Sequence, residues 1–329
     1  MTIKFFNDMN TLLKAMTVLA VTLTGCLTTE KTYAQEAYSP TGTYQFAVKD
    51  GNSLFLDEYA ASAGSEITVD GKKKPAIVFV FGGGFFSGQR SAHGYLKWFK
   101  MLNDNGYTVL TIDYRLGLKG VRTKGGLGSV KQFYHAVTIA SEDLFSATKY
   151  IIDNASALNV DPDNLVISGS SAGAMTVLQS DWLLSNGKVT ESLPEGFRFA
   201  GVMSFAGAIL SREGMPEYSQ TPSPTAFFHG TADKVVNYKK MKVFNWAFAG
   251  SDKLARIFKK NGYNYNIYRY QGHTHEIADA MAETFADQIR FLETNVMGKI
   301  DRNVDCTIDD PQIPEPQGSA NRKELYGKN

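Results

Sequence analysis

The stretch LVISGSSAG, residues 165–173, decides the fold. It opens with an apolar run, residues 165–167, that is typical of a buried strand, and it ends in the pattern G-x-S-x-G. A helical pattern over residues 172–184 follows. A serine on a sharp turn between strand and helix forms a nucleophile elbow, which lifts its hydroxyl to the top of a sheet. The stretch therefore predicts Ser171 as a nucleophile. Ser170 is the competing candidate, and a plain glycine-rich turn is the alternative reading.

The rest of the chain alternates apolar runs with helical patterns, which is typical of a sheet whose two faces are covered by helices. An earlier Asp50-Gly51 pair, between two alternating segments, predicts a β-hairpin. The other predicted strands are residues 76–81, 108–112, 201–205, 225–228 and 265–270, and the other predicted helices are residues 95–102, 130–155 and 277–296. We expect the fold class α/β, with a mostly parallel central sheet and helices on both faces.

Composition divides the chain into four parts. Residues 1–25 are interpreted as an export signal and residues 26–43 as a polar linker. Residues 44–299 carry the predicted catalytic domain, whose large core is consistent with 43% apolar residues. Residues 300–329 are polar and contain three prolines, so they predict a mostly disordered tail.

The amino-terminal segment carries the signs of export from a bacterial cell. Two lysines precede an apolar run, residues 15–23, that is too short to span a bilayer. The sequence LTGC that ends at Cys26 resembles the lipobox, in which the cysteine becomes the lipidated first residue. A rival cleavage point follows Ala34. We expect a membrane-anchored lipoprotein, or a periplasmic or secreted protein if the rival site is used; both alternatives place the chain outside the cytoplasm.

Charge and cysteine content exclude several classes of protein. The 34 basic and 33 acidic residues give a net charge of +1, which provides no general attraction to nucleic acid. The only cysteines are Cys26 and Cys306, too few for a disulfide scaffold or a cysteine-based zinc site. A membrane enters as a partner only through the lipid anchor.

A glycine run, FGGGF at residues 81–85, follows the predicted strand 76–81. Glycine permits backbone conformations in which N–H groups point into a cavity. Together with the N–H of Ala172, these groups would form an oxyanion hole, in which each donor stabilises a tetrahedral intermediate by about 3 kcal/mol. A glycine turn that binds no ligand is the alternative.

Asp233 is the candidate acid of a triad. It follows the predicted strand 225–228 in the sequence HGTAD, and a carboxylate after a strand can orient an imidazole. Asp233 lies 62 residues after Ser171, and His275 lies 42 residues after Asp233, so the three follow the order Ser, Asp, His that is expected for this kind of sheet. His229, at the end of the same strand, is interpreted as structural.

Two histidines in the sequence YQGHTHE, residues 270–276, are candidates for the base. The spacing Y-x-G-x-x-H favours His275 over His273. A His-x-His pair also raises metal binding, but no further histidine or cysteine cluster accompanies it, so we predict no metal site.

Taken in order, these motifs resemble the α/β-hydrolase superfamily, and within it the carboxylesterase and hormone-sensitive-lipase-like esterases, including bacterial acetyl and feruloyl esterases. The motif Asp113-Tyr114-Arg115-Leu116 is part of the resemblance, which covers residues 43–296. It implies the α/β-hydrolase fold, with Gly83, Gly84 and Ala172 as oxyanion donors. Phe81 stands where family members usually have histidine.

The resemblance implies a serine hydrolase that cleaves carboxylic esters through an acyl-enzyme, with no metal or organic cofactor. Acetylated or feruloylated carbohydrates are the expected substrates, by analogy with exported esterases. Residues 208–223 are too few for a large lid, which favours a site open to water-soluble substrates. Two alternatives stay open: a serine exopeptidase of the prolyl-peptidase type, and an inactive binding protein on the same fold.

Overall fold

A nine-stranded sheet forms the centre of the protein, which is seen in a computed structural model that describes residues 38–122, 125–189, 191 and 193–309. Its strands are β1 (Gly42–Lys49), β2 (Asn52–Tyr59), β3 (Ala76–Val80), β4 (Val109–Ile112), β5 (Leu165–Ser170), β6 (Gly201–Phe205), β8 (Thr225–Gly230), β11 (Tyr265–Tyr270) and β12 (Val304–Ile308). Their order is β1-β2-β4-β3-β5-β6-β8-β11-β12. Only the β1–β2 and β2–β4 pairs are antiparallel, so the predicted mostly parallel sheet is confirmed.

The central strands are covered on both faces. Every residue of β3, β5, β6 and β8 is buried, and successive side chains of a strand point to opposite faces. The helices are α1 (His93–Asp104), α2 (Gly126–Asp153), α3 (Ala172–Ser185), α4 (Ser251–Asn261) and α5 (Phe285–Phe291). Burial on both faces explains why these strands are continuous apolar runs in the sequence.

The predicted hairpin joins β1 to β2. Asp50 and Gly51 both have positive φ angles, of 51° and 74°, as a two-residue turn that follows the twist of the strands requires. Tyr38, assigned to the linker 26–43, stacks on Tyr59 at 5.3 Å between ring centroids. The folded part thus begins before residue 44, because an aromatic ring of the linker packs against β2.

A second, three-stranded sheet was not predicted. It consists of β7 (Ala208–Ser211), β9 (Lys240–Val243) and β10 (Trp246–Gly250), in the order β7-β10-β9. β9 alternates lysines with apolar residues, and the apolar runs of β7 and β10 are only three or four residues long. Residues 208–223 form β7 and irregular chain without a helix.

The helix predicted over residues 277–296 is wrong as a single element. The chain instead forms a 3₁₀ turn (His275–Ala278), further turns, α5 and a π-helical turn (Leu292–Met297). The buried side chain of Gln288 donates to the carbonyl of Met281 at 2.6 Å and accepts from the indole of Trp98 at 2.7 Å. Side-chain hydrogen bonds thus hold a broken segment whose apolar spacing resembled that of a continuous helix.

The tail predicted from residue 300 begins too early. Val304–Ile308 forms β12, which pairs in parallel with β11 from the pair Asn266–Val304 to the pair Tyr270–Ile308. Arg269 of β11 binds Asp305 of β12 at 2.8 Å. An edge strand that alternates exposed with half-buried residues lacks the apolar run by which the other strands were found. Within the described ranges, no helix is both long and apolar enough to cross a membrane.

Candidate active site

Ser171 lies on a strained turn between β5 and α3. Its φ angle is 50°, in the left-handed region that side-chain-bearing residues rarely adopt. The turn brings two glycines into close backbone contact: a Cβ on Gly169 would lie 2.3 Å from the carbonyl carbon of Gly173, and one on Gly173 would lie 1.9 Å from the carbonyl oxygen of Val80. The G-x-S-x-G spacing therefore reflects sterics, because any side chain at either glycine would prevent the turn.

A continuous chain of hydrogen bonds links Ser171, His275 and Asp233. The Oγ of Ser171 lies 2.8 Å from Nε2 of His275, and Nδ1 of His275 lies 2.8 Å from Oδ2 of Asp233. A carboxylate can only accept, so Nδ1 carries the proton and Nε2 faces the serine hydroxyl with its lone pair. This arrangement allows the imidazole to remove the hydroxyl proton.

Asp233 is held as an ionised carboxylate. Its Oδ1 accepts hydrogen bonds from the backbone N–H groups of Val235 at 2.8 Å and Val236 at 3.1 Å. Burial alone would raise the pKa of Asp233, but His275 and His229 hold the pKa well below its usual range. The acid therefore stays negatively charged beside the imidazole at any pH near neutrality.

His275 opens the 3₁₀ turn that follows β11. Burial would lower the pKa of His275, but the negative charge of Asp233, with smaller contributions from Asp279 and Glu276, raises the pKa above its ordinary value. The other candidate base, His273, points elsewhere: its Nδ1 lies 2.9 Å from Oε1 of Glu276. The structure thus brings His275, rather than His273, to Ser171.

The loops that carry the acid and the base are bonded to each other. The backbone N–H of Ala232 donates to the carbonyl of His273 at 2.9 Å, and that of Gly272 donates to the hydroxyl of Thr231 at 3.0 Å. Gly230 makes this contact possible, because a Cβ there would lie 2.4 Å from the carbonyl oxygen of His273. The two loops therefore position Asp233 and His275 as one unit.

The glycine loop after β3 lies beside the serine. The N–H of Gly82 donates to the hydroxyl of Tyr95 at 3.1 Å, and a Cβ at this glycine would lie 3.4 Å from the Cβ of Ser171. Among the described residues, no acceptor is bonded to the N–H groups of Gly83, Gly84 or Ala172. The oxyanion role of these three groups stays a prediction, and Tyr95 is a positioning group that the sequence did not reveal.

The DYRL motif supports the site from behind. Tyr114 stacks on Phe81 at 4.4 Å and donates to its carbonyl at 3.1 Å, so an aromatic pair occupies the position where relatives have histidine. Arg115 binds the fully buried carboxylate of Asp143 at 2.8 Å. Tyr114 and Arg115 therefore have structural roles.

Two further groups near the triad were missed or left without a role. Asp279 follows the 3₁₀ turn that His275 opens. Reduced solvation of its carboxylate raises its pKa, while His275 and the hydroxyl of Ser170 lower it. His229 contacts Asp233, as described below. The described part of the chain holds no group of three or more His, Cys, Asp or Glu residues that could bind a metal ion. Cys26 lies outside the described residues.

A mostly parallel sheet with a serine elbow, an acid after one later strand and a histidine after the next defines the α/β-hydrolase fold. Two family models match the chain: one described as BD-FAE matches residues 67–207, and Phospholipase/Carboxylesterase matches residues 139–294. Both ranges include Ser171, and the second also includes Asp233 and His275.

Similar proteins support the same class. The chain is 33% identical over 108 residues to gut esterase 1 of Caenorhabditis briggsae, which is 33% of this chain and 18% of that protein. It is 33% identical over 106 residues to para-nitrobenzyl esterase of Bacillus subtilis (strain 168), which is 32% of this chain and 21% of that protein. The chain thus spans about a fifth of the length of these curated relatives.

The fold has close counterparts among solved structures. A thermophilic esterase from Thermogutta terrifontis superposes with a TM-score of 0.57 at 21% identity, over 79% of this chain and 93% of that one. The chain has the α/β-hydrolase fold, and the relatives that it resembles in sequence are esterases.

Proposed function

We propose that this chain hydrolyses carboxylic esters through an acyl-enzyme, with Ser171 as nucleophile, His275 as base and Asp233 as acid. The observation that carries the proposal is the unbroken line of 2.8 Å contacts from the serine hydroxyl through the imidazole to the carboxylate. The esterase relatives support the same reaction class.

In the first half of the reaction, Oγ of Ser171 attacks the ester carbonyl carbon while Nε2 of His275 takes the hydroxyl proton. The resulting imidazolium is stabilised by the carboxylate of Asp233. It then protonates the departing alcohol, which leaves an acyl group on the serine. Water repeats the sequence with the same base, releases the acid and restores the serine. None of these steps requires a metal or an organic cofactor.

The tetrahedral intermediates carry a negative oxygen that needs hydrogen-bond donors. We propose the N–H groups of Gly83, Gly84 and Ala172 for this role. Support comes from the Gly82 N–H, which is already used by Tyr95, while its neighbours donate to no described residue. The N–H of Ala172 also lies at the amino terminus of α3, where the helix dipole favours negative charge. Removal of one such donor typically costs about 3 kcal/mol in the transition state.

We further propose esters of carbohydrates, acetylated or feruloylated, as the substrate class. The BD-FAE match and the short, helix-free segment 208–223 support a site that is open to water-soluble esters. A panel of acetylated and feruloylated sugars, measured beside aminoacyl anilides, tests this. We expect turnover of the sugar esters and none of the anilides.

The panel separates the alternatives. Faster cleavage of aminoacyl anilides than of any ester would contradict the proposal and favour a serine exopeptidase. No turnover on any substrate, together with no covalent modification by a fluorophosphonate, would favour an inactive binding protein. Ser171→Ala is the matched control that shows whether any measured turnover belongs to this site.

We also propose that the chain is exported and anchored in a bacterial membrane through a lipid on Cys26. The sequence LTGC that ends at this residue supports the proposal. Mass spectrometry of the mature protein should find its first residue at Cys26, carrying acyl chains. An unmodified first residue at Gln35 would instead indicate secretion by cleavage after Ala34.

A further inference from the structure

A second histidine contacts the acid of the proposed triad. His229 ends β8 and is completely buried. Its Nε2 lies 3.1 Å from Oδ2 of Asp233 and 3.0 Å from the carbonyl oxygen of Val236, and its Nδ1 lies 2.7 Å from the hydroxyl of Ser251. His229 therefore contacts the same carboxylate oxygen as the proposed base, His275, and does more than fill space in the core.

The surroundings of His229 fix the position of its proton. Nε2 faces a carboxylate and a carbonyl, which can only accept, so Nε2 carries the hydrogen. Nδ1 faces the Ser251 hydroxyl, which has a nearer partner in Nδ1, at 2.7 Å, than in the carbonyl of Gly207, at 3.3 Å. Nε2–H therefore donates to Asp233, while Ser251, which also donates to the carbonyl of Gly207, holds the ring from its Nδ1 side.

This donor completes the hydrogen bonds of the Asp233 carboxylate. Oδ1 accepts from two backbone N–H groups, while Oδ2 accepts from His229 at 3.1 Å and from His275 at 2.8 Å. A carboxylate accepts about four hydrogen bonds, so all its sites are used. The hydrogen bond from His229 therefore restricts the position of Oδ2, the oxygen that binds His275.

We propose that His229 is a positioning residue of the triad, whose Nε2–H fixes and partly neutralises the Asp233 oxygen that binds His275. The inference rests on the proposed function. His229 itself touches neither Ser171 nor the solvent, so it acts only through Asp233.

Loss of the hydrogen bond from His229 should change the pKa of His275. Without the Nε2–H donor, Oδ2 keeps a fuller negative charge toward His275 and should raise its pKa further. Activity requires the neutral imidazole, so the acid limb of the rate profile should move to higher pH. The other groups that face these rings stay in place: they are Asp279 and Glu276 beside His275, and Tyr238, whose ring meets His229 at 5.4 Å and whose hydroxyl binds Arg269.

The test compares His229→Leu, His229→Gln and Ser251→Ala. Leucine removes the donor, while the amide nitrogen of glutamine can occupy the place of Nε2 and still donate to Asp233. Ser251→Ala removes the other hydrogen bond of the same ring and leaves the Asp233 contact, so it is the matched structural control. We expect His229→Leu to lower kcat at least about tenfold with little change in KM, as for a lost bond to a buried charge.

The position of the acid limb then decides. It should move upward in His229→Leu and stay at the wild-type position in His229→Gln and Ser251→Ala. Equal limbs in His229→Leu and Ser251→Ala would overturn the proposal, and so would a shifted limb in His229→Gln. If circular dichroism shows that the leucine variant does not fold, a shifted limb in His229→Gln would still overturn the proposal.

A measurement without turnover separates this inference from the proposed function. In protein labelled with ¹⁵N-histidine, His275→Ala assigns the ring signals, and a pH titration gives the pKa of His275 directly. We expect that pKa to be higher in His229→Leu than in Ser251→Ala, even if no ester proves to be a substrate. Identical titrations in these two variants would overturn the positioning role and leave the esterase proposal untouched.

Discussion

Ser171→Ala should abolish ester hydrolysis, with a loss of turnover of roughly 10⁴- to 10⁶-fold and no loss of folding. The hydroxyl is the group that Nε2 of His275 meets, at 2.8 Å, and triad members act as a unit. The measurement is kcat on an activated ester, with thermal unfolding to show that the variant is folded. Removal of one hydroxyl from a nearly buried side chain should change the melting temperature little.

Ser170→Ala is the matched control for this prediction. Its hydroxyl lies on the neighbouring position of the same elbow, beside Gly82, and contacts no group of the triad that could activate it. We expect Ser170→Ala to retain turnover within about tenfold of the wild type, since the hydrogen bond that it loses, to Asp279, lies outside the triad. The reverse result, with Ser170→Ala inactive and Ser171→Ala active, would move the nucleophile by one residue.

His275→Ala should reduce turnover by several orders of magnitude, whereas His273→Ala should cost far less. His275 touches both Ser171 and Asp233, while His273 touches Glu276 and acts on the loop alone. The two variants remove the same side chain two residues apart, so each controls for the other. Activity that survives in His275→Ala and disappears in His273→Ala would reverse the assignment of the base.

The dependence of kcat/KM on pH should reflect the raised pKa of His275. Asp233, Asp279 and Glu276 raise the pKa of His275 above the ordinary histidine value of about 6.5. Only the neutral imidazole accepts the proton, so kcat/KM should fall as the pH drops through that raised pKa. His273→Ala should keep the same acid limb, because its ring is bonded to Glu276 and to neither Ser171 nor Asp233 among the described contacts.

The main sheet and the order of the site could be predicted because their signals are local. A strand buried on both faces can be apolar throughout, as in β3, and an elbow must have glycine where a Cβ would collide with backbone, as at Gly169 and Gly173. The glycine loop, Asp233 and His275 each follow within a few residues of a buried strand. These constraints act within a few residues and can therefore be found in a single sequence.

The elements that escaped prediction depend on distant partners. The strand β12 has its place only because β11 offers a free edge, and β7 is paired by β10, which follows 35 residues later. The break in the helix predicted over residues 277–296 is held by Gln288, whose indole partner Trp98 lies 190 residues away. Likewise, the spacing of His229 and Asp233 in HGTAD was visible, but their hydrogen bond was not, because it forms only where the folded chain buries the ring of His229 beside the carboxylate.

Covalent labelling of the folded wild-type protein tests directly whether Ser171 is a nucleophile that His275 activates. A fluorophosphonate reacts with a serine only where a base activates the hydroxyl, and peptide mass spectrometry then locates the adduct. We expect a single adduct on Ser171. It should form rapidly in the wild type and in His273→Ala, and much more slowly in His275→Ala. An adduct on Ser170, or rapid labelling of Ser171 that does not depend on His275, would contradict this expectation.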